Sequence, residues 1–261
     1  MLRARITPCL LVHNNGLVKT VGFANPKYVG DPINAVKIFN EKEADELIVL
    51  DIDASVRSAA PNLQLIGHLA AECRMPLCYG GGIKTAEQAR RIIGLGVEKV
   101  AISSAVIENP ALIGQIAEAV GSQSVVVVCD VRVVGERYQV WTHNAKHNSG
   151  KSLEEVVRDA ERLGAGEIVV NSVNNDGLMK GYDLVLARRV RELTRLPMTV
   201  LGGAGSLDDI GRLIEVCGVV GAAAGSLFVF KGQYRAVLIN YPAQQVKDDL
   251  MRRVGALVGS S

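Results

Sequence analysis

The sequence reads ELIVLD at residues 46–51, and a related stretch, EIVVNS, follows at residues 167–172. Each stretch is a short apolar run that opens on a glutamate and ends on a polar residue. A second pair of related stretches, GGGI at 80–83 and GGAG at 202–205, lies at nearly the same separation. A near-constant offset of about 120 residues marks an internal duplication rather than scattered similarity. The sequence therefore predicts a fold built from two related halves.

Short apolar runs rich in valine and isoleucine alternate with longer amphipathic stretches along the whole chain. Runs that are apolar almost throughout are buried on both faces, which indicates parallel strands joined by helices. The predicted strands lie near residues 5–12, 47–52, 76–79, 98–103, 124–131, 167–172, 197–201 and 219–223. Helices are predicted at 32–42, 63–73, 85–95, 110–120, 152–163, 183–194 and 206–216. Eight strand–helix units predict a closed (β/α)8 TIM barrel of the α/β class, with an open doubly wound sheet as the alternative.

The alternation of strands and helices continues without a linker or a low-complexity segment. We therefore expect a single barrel domain over 1–261, composed of half-barrels at about 1–120 and 121–250. A loose tail is predicted at 255–261. An additional hairpin is predicted after the fifth strand, because residues 136–142 alternate polar and apolar side chains.

The composition is that of an ordinary soluble globular protein, with 48% hydrophobic and 21% charged residues and a net charge of +2. This balance does not indicate a nucleic-acid or membrane partner, and no apolar run reaches the length of a signal peptide or a membrane span. The cysteines are dispersed and lack the paired spacing of metal ligands. They are Cys9, Cys73, Cys78, Cys129 and Cys217. We therefore expect a cytoplasmic protein with reduced thiols, no metal and no cofactor.

Glycine-rich turns follow the third and seventh predicted strands, and small hydroxyl residues follow the fourth and eighth. In a (β/α)8 barrel, ligands bind at the C-terminal ends of the strands, which form the mouth. Glycines allow backbone N–H groups to approach an anion closely. One such turn is equally consistent with a tight connection, but two related turns indicate two phosphate sites and a ligand with phosphates at both ends. The predicted phosphate-binding residues are Gly81, Gly82, Ser103, Ser104, Gly203, Gly205, Gly225 and Ser226.

Charged and amide side chains are predicted between the two phosphate sites. An aspartate that closes a central strand is costly to bury without a use. The catalytic candidates are Lys19, Asp51, Asp130 and Asp176, accompanied by Asp53, Asn171, Asn174 and Asn175. Other interpretations stay open, because Asp51 and Asp176 could cap loops and Lys19 could be solvated on a long first loop. His143 and His147 lie in a polar segment, which favours a surface loop over a metal site.

Four charged residues stand at the opposite, N-terminal ends of the predicted strands. They are Arg5, Glu46, Lys99 and Glu167, two cations and two anions, here called the floor ring. This face of a barrel usually serves stability. A ring of paired charges is either a structural plug or a gate over a path through the barrel. Sequence spacing alone does not choose between these two interpretations.

Several motifs together resemble the cyclase subunit of imidazole glycerol phosphate synthase. They are GDP at 30–32, DIDAS at 51–55, GGGI at 80–83, GSQ at 121–123, GAGEI at 164–168, DG at 176–177, GYD at 181–183 and GGAG at 202–205. The resemblance covers most of the chain and implies a heterodimer with a glutaminase subunit. In that family the glutaminase releases ammonia at the barrel floor, and the ammonia passes to the mouth. There the family's cyclase uses the ammonia to split a ribulosylated aminoimidazole-carboxamide ribotide, which forms imidazole glycerol phosphate. By position, the resemblance makes the floor ring an ammonia gate.

The sequence departs from this family at Leu11, where the cyclase carries an aspartate that works opposite Asp130. Leucine cannot transfer a proton, and the loss of such a group commonly costs ~10²–10⁴-fold in rate. Ser103 and Ser104 replace an amide–threonine pair, Asn171 replaces threonine, and Leu201 replaces a small residue.

Other motifs resemble a divergent paralogue branch of the family that is associated with amidation of sugars in surface-polysaccharide assembly. They are KYVGDP at 27–32, DIDAS at 51–55, Tyr79 and FVFKG at 228–232. This resemblance implies an ammonia-conducting subunit that serves a separate sugar amidotransferase, the interpretation we favour. Two alternatives stay open: a working lyase of histidine biosynthesis, and a phosphate-sugar isomerase or binding barrel without a partner.

Overall fold

The computed structural model describes residues 3–258 of the chain. The first half contains β1 (Arg5–His13), β2 (Gly16–Val21), β3 (Ala24–Gly30), α1 (Pro32–Glu41), β4 (Leu47–Asp51), α2 (Leu63–Glu72), β5 (Leu77–Gly80), α3 (Ala86–Gly94), β6 (Lys99–Ile102), α4 (Ser104–Glu108) and α5 (Ala111–Val120). The second half contains β7 (Val125–Val134), β8 (Arg137–Thr142), β9 (His147–Ser152), α6 (Leu153–Arg162), β10 (Glu167–Ser172), α7 (Leu184–Leu193), β11 (Met198–Leu201), α8 (Leu207–Cys217), β12 (Gly221–Ala224), α9 (Ser226–Val229), β13 (Phe230–Lys231), β14 (Ala236–Val237) and α10 (Gln244–Val258). A short 3-10 turn at Ser122–Ser124 joins the two halves.

Eight parallel strands close into a barrel in the order β1, β4, β5, β6, β7, β10, β11, β12, and β12 pairs back with β1. Each of the eight predicted apolar runs overlaps one of these strands. The pairing of β7 with β10 places Val126 beside Glu167 and Asp130 beside Asn171. The predicted (β/α)8 barrel is confirmed. The alternative of an open sheet is excluded, because every barrel strand has a parallel neighbour on both sides.

The barrel strands are buried on both faces. On β1, Ile6 and Leu10 pack toward the helices, whereas Cys9 points into the barrel interior. The centre of the interior is filled by Ile48, Cys78, Ala101, Val126, Val128, Val169, Leu201 and Ala223. Burial on two faces explains why the strand sequences are apolar almost throughout instead of alternating.

The helices that follow the two glycine turns begin with the same device. At the start of α3, the Thr85 hydroxyl accepts the N–H of Gln88 at 3.2 Å, and the Gln88 side chain accepts the N–H of Thr85 in return. At the start of α8, Ser206 and Asp209 form the same reciprocal pair. These capping boxes satisfy backbone N–H groups that a helix leaves unbonded at its first turn. They fix where each helix begins relative to the mouth.

The connection after the first barrel strand is a hairpin, not a loop. Strand β2 pairs antiparallel with β1, from Leu11 beside Val18 to His13 beside Gly16, and β3 pairs with β2. Lys19 therefore lies on a strand and not on the predicted long loop, and because it is only 5% exposed, the alternative of a solvated lysine is excluded. The asparagines and the glycine in this segment favour a loop prediction, but pairing with β1 orders the backbone as a strand.

The hairpin predicted after the fifth barrel strand is confirmed, because β7 continues to Val134 and pairs antiparallel with β8. A third strand, β9, pairs with β8 and was not predicted. Its sequence, HNSGKS, has neither apolar alternation nor β-branched residues, and its place in the sheet depends on pairing with β8 alone.

The last helix, α10, packs against α8, where Leu250 and Val254 are buried beside Gly211. Because this contact anchors it, the helix extends to Val258. The predicted loose tail at 255–261 is therefore wrong for its first four residues, and residues 259–261 lie outside the described part of the chain. Within residues 3–258, no helix has both the length and the apolar character needed to cross a membrane.

Candidate functional site

A cavity of about 390 Å³ opens at the mouth of the barrel, and the hairpins contribute to its walls. All four predicted catalytic candidates line it: Lys19, Asp51, Asp130 and Asp176. Seven of the eight predicted phosphate-binding residues line it as well: Gly81, Gly82, Ser103, Ser104, Gly203, Gly225 and Ser226. Asp53, Asn174 and Asn175 do not belong to the lining. The structure thus brings most of the predicted site together around one cavity.

Lys19 enters the cavity from the β2–β3 hairpin. Its Nζ donates to the backbone oxygen of Cys9 at 2.6 Å, and burial lowers its pKa. A Cβ atom at Gly225 would lie 2.5 Å from this Nζ, so glycine at 225 leaves the space that the lysine occupies. The ammonium group is therefore held inside the mouth, at the end of β12.

Asp51 both caps a loop and lines the cavity, so the two interpretations of this residue are compatible. Its Oδ1 accepts the N–H groups of Asp53 at 2.9 Å and Ala54 at 3.1 Å. Burial raises its pKa, although these two bonds oppose the shift. Asp53 points away and accepts from the Asn14 N–H at 2.8 Å, with its other oxygen 2.7 Å from Nδ1 of His13.

Asp176 joins the loop after β10 to the hairpin that carries Lys19. Its Oδ2 accepts the Thr20 hydroxyl at 2.7 Å and the Phe23 N–H at 3.0 Å. Burial raises its pKa, against the effect of these bonds and of the nearby Lys19 charge. Like Asp51, it combines a structural role with a position at the cavity.

Asp130 closes the apolar strand β7 at the mouth. It accepts one hydrogen bond from the Asn171 side-chain amide, 3.1 Å from Nδ2 to Oδ1. Burial raises its pKa to about 7, because a single amide bond does not replace the lost hydration. Such a carboxyl can take up or release a proton near neutral pH.

Leu11 faces Asp130 across the barrel, because β1 and β7 are four strands apart in either direction around it. Leu11 lies beside Leu50 of the neighbouring strand. Leu11, Leu50 and Leu201 all line the cavity and give this wall an apolar character. The wall opposite Asp130 therefore presents hydrocarbon at Leu11.

The two glycine turns bring backbone close to the cavity. Gly81 has φ +121°, and a Cβ atom there would lie 2.5 Å from the backbone oxygen of Asp51. Ser103 and Ser104 stand at the start of α4, and Gly225 and Ser226 at the start of α9, so in each half a short helix begins at the cavity.

Gly205 lies outside the lining. Its N–H donates to the Asp209 carboxylate at 3.0 Å as part of the α8 cap, so this donor is already bonded, and the phosphate contact at Gly205 stays a prediction. The sequence signal was ambiguous here, because a glycine before a helix cap resembles a glycine of an anion-binding turn.

The two histidines do not form a metal site in the structure. His143 lies on the turn before β9, and its ring meets that of His147 edge to face at 6.3 Å. His143 and Asn144 line the cavity, a position that the sequence did not predict because β9 was missed. Across residues 3–258, no group of three or more His, Cys, Asp or Glu side chains gathers as metal ligands would.

The floor ring is closed. Lys99 Nζ lies 2.7 Å from Glu46 and 2.8 Å from Glu167, and Arg5 bridges the same two carboxylates at 3.0 Å and 2.7 Å. The two glutamate side chains are only 5–6% exposed. Although burial opposes the charged forms, the carboxylates raise the pKa of Lys99 and the two cations lower the pKa of Glu167. Lys99 and Glu167 therefore stay ionised over a wide pH range.

Thr199 adds a fifth member that the sequence did not reveal. Its hydroxyl donates to Glu167 at 2.6 Å. Any side chain at Gly221 on the neighbouring strand would collide with this hydroxyl, so the glycine provides the space for it. The only sequence signal was a polar residue within the apolar run of β11.

Comparison with known proteins identifies the relatives of this chain. A family model described as "Histidine biosynthesis protein" matches residues 5–235. A protein of Leptospira borgpetersenii is 55% identical over 252 residues, which cover 96% of this chain and 99% of the relative. A Vibrio vulnificus protein is 58% identical over 249 residues, with 95% and 96% covered, and a Pseudomonas aeruginosa protein is 51% identical over 243 residues, with 93% and 97% covered.

The names of these three relatives are "Putative imidazole glycerol phosphate synthase subunit" HisF, hisF3 and hisF2, in that order. Two proteins named "Imidazole glycerol phosphate synthase subunit HisF", without that first word, are also similar, at 37–40% identity. Of these relatives, the three first described are 51–58% identical to the chain, and the two subunits named without qualification are 37–40% identical.

Proposed function

The chain belongs to the histidine biosynthesis protein family, as a HisF-like member of a divergent paralogue branch, and we propose that it conducts ammonia instead of closing an imidazole ring. In this proposal a glutaminase partner forms a heterodimer at the floor of the barrel and releases ammonia there. The barrel passes the ammonia to a separate sugar amidotransferase in surface-polysaccharide biosynthesis. The free cysteines agree with work in the reducing cytoplasm.

The observation that carries this proposal is that Asp130 has no carboxyl opposite it at the mouth, whereas imidazole ring closure would need two carboxyls there. Asp130 titrates near neutral pH, but Leu11 faces it and has no proton to exchange. Removal of one general acid or base from such a pair commonly costs ~10²–10⁴-fold in rate. The mouth therefore favours passage or binding over two-carboxylate catalysis.

The floor supports the same proposal from the other end. A plug needs only apolar side chains, which cost less to bury than four ionised groups. Arg5, Glu46, Lys99 and Glu167 instead form a bonded ring that can rearrange by exchanging partners. We propose that this ring is the ammonia gate. The intact ring also counts against a partner-free isomerase.

The test is the cyclisation reaction itself. The purified protein, with saturating ammonia and the authentic ribotide, is expected to form little or no imidazole glycerol phosphate. Robust turnover that Asp130→Asn abolishes would exclude the conduit proposal in favour of a cyclase. Gene order gives an independent check, because a glutaminase gene among sugar-modifying genes supports the proposal and a histidine operon opposes it.

A second candidate function is an active lyase of histidine biosynthesis. It is favoured by the retention of Lys19, Asp130 and Asp176 around one cavity, together with both glycine turns. In this case Asp130 acts alone or with Asp51, whose pKa is also raised by burial. The two glycine turns would then hold the phosphates at the two ends of the ribotide. The cyclisation assay separates the two candidates directly.

A further inference from the structure

Thr7 carries a buried hydroxyl for which the described residues provide no hydrogen-bond partner. The residue is 0% exposed and lies on β1 between Arg5 and Cys9, whose side chains both point into the barrel. An unpartnered hydroxyl in such a place costs stability, and valine would fill the same space without that cost. A threonine here therefore calls for a functional explanation.

Strand register places Thr7 immediately inside the floor ring. Arg5 pairs with Gly221 and Thr7 with Ala223, so Thr7 stands one interior level above the ring arginine. On the other side of β1, Cys9 pairs with Ile48. Thr7 and Glu46 each lie two residues before this pair and are therefore level with each other. The free hydroxyl is thus on the Glu46 side of the ring.

The two carboxylates of the ring are held unequally. Glu167 accepts from Arg5, from Lys99 and from the Thr199 hydroxyl. Among the described residues, Glu46 accepts a hydrogen bond only from Lys99 and forms an ion pair with Arg5. The threonine associated with Glu167 has its hydroxyl engaged, whereas Thr7, level with Glu46, does not. The Glu46 side is therefore the side on which the ring opens more easily.

Above Thr7 the interior is apolar or lined by thiols. Burial raises the pKa of Cys78 well above its usual value and that of Cys9 to about 11, so both remain neutral. An ammonium ion would lose its hydration here without a counter-charge, which strongly disfavours it. Neutral ammonia keeps a lone pair that a hydroxyl can bond, and its N–H groups can donate to the same oxygen.

We infer that Thr7 forms an ammonia-binding position just inside the floor ring, reached past Glu46, while Thr199 holds the Glu167 side closed. The inference rests on the proposed ammonia conduit and adds to it a defined entry side and a first contact. No covalent step is involved. The hydroxyl replaces the hydrogen bonds that ammonia loses when it leaves the ring for the apolar interior.

The test uses the full complex with its glutaminase and acceptor enzyme, amide-15N-labelled glutamine, and unlabelled ammonium in solution. The readout is the 15N fraction in the product per glutamine hydrolysed. Thr7→Val is expected to lower this fraction about 5- to 10-fold, the effect of one hydrogen bond. Thr7→Ser keeps the hydroxyl and is expected to stay within about twofold of the wild type. Thr194→Val, at a buried threonine outside the barrel interior, serves as the matched control.

Two further measurements make the outcome decisive. The melting temperature of Thr7→Val is expected to equal or exceed that of the wild type, and a lower value with a matching loss in Thr7→Ser would assign Thr7 a structural role. Lys99→Met tests the conduit itself. If Lys99→Met lowers the 15N fraction and Thr7→Val does not, the ammonia position at Thr7 is wrong and the conduit stands. If neither variant changes the fraction, the proposed conduit fails as well.

Discussion

The two halves of the barrel are unlike at the mouth and joined at the floor. At one level of the mouth, Leu11 lies beside Leu50 in the first half, whereas Asp130 lies beside Asn171 in the second. At the floor, three charges of the ring come from the first half and Glu167 from the second, and bonds cross between the halves. The comparison teaches that the two halves of one scaffold can differ in the side chains at the mouth while ion pairs at the floor still connect them.

Loss of a floor cation is expected to have the largest effect on stability. Lys99→Met leaves two buried carboxylates, Glu46 and Glu167, with Arg5 as their only shared cation, at a cost of about 3–5 kcal/mol in the free energy of unfolding. Urea denaturation at pH 7 measures this. Arg90→Met, in an exposed ion pair with Glu87, is the control and should cost less than about 1 kcal/mol. Equal losses in the two variants would show that the ring contributes no more than a surface pair.

At the mouth, removal of a charge is expected to raise the free energy of unfolding instead of lowering it, because Asp130 is costly to keep ionised. An unfolded aspartate titrates near pH 3.9, whereas the pKa of Asp130 is about 7. Between these values the folded state retains a proton that the unfolded state has released, so this residue lowers stability as pH rises. Asp130→Asn is therefore expected to stabilise the protein by about 1.5 kcal/mol at pH 5 and about 4 kcal/mol at pH 8.

Urea denaturation at both pH values checks this expectation. Asp53→Asn is the control, because the pKa of Asp53 is lowered: burial raises it, but the bonds from Asn14 and His13 outweigh that effect. Its stabilising contribution is present above the unfolded pKa and lost as pH falls, so the variant should be destabilised at pH 8. A pH-independent effect of Asp130→Asn would mean that its carboxyl is hydrated in solution.

A carboxyl placed at the mouth in the first half removes the difference between the two halves and so tests its effect directly. Leu11→Asp puts a polar group against Leu50 and is expected to cost about 1–3 kcal/mol in stability. We expect it to raise cyclisation of the ribotide at least about 10-fold over the wild type, because a second proton-transfer group then faces Asp130. Leu11→Asn is the control, because asparagine is nearly the same size as aspartate but has no acidic proton to transfer. A similar gain with Leu11→Asn would assign the effect to polarity.

The helix caps are where the halves are expected to behave alike. Thr85→Ala removes the cap of α3, and Ser206→Ala removes that of α8. Each should cost about 1 kcal/mol, measured by chemical denaturation. Similar losses would sharpen the comparison, since the scaffold would then be equivalent where the mouth is not. A difference above about 1 kcal/mol would show that the scaffold has diverged too.

Much of the architecture could be predicted because apolar runs and helix caps are local signals. EIVVNS identifies a buried parallel strand with no knowledge of its neighbours, and Ser206 followed by Asp209 identifies a helix start. HNSGKS could not be identified as a strand, since only pairing with β8 orders it. Lys19 was misplaced for the same reason, because its burial depends on contacts from β1 and β12.

At the site, sequence order placed residues at strand ends but did not indicate their bonds. The convergence of Lys19, Asp51, Asp130 and Asp176 on one cavity follows from barrel geometry, which a correct fold supplies. That Asp51 is already occupied by two backbone N–H groups does not follow. Likewise, Gly205 was assigned to phosphate binding because the sequence does not show that Asp209 takes its N–H.

A closed ring at the floor has a consequence for the barrel without its partner. Opening it breaks at least one ion pair and costs a few kcal/mol, so an isolated chain would have it open in about 1% of molecules or fewer. In the proposed conduit, a barrel without its glutaminase therefore keeps its floor closed, and only assembly with the partner would open it.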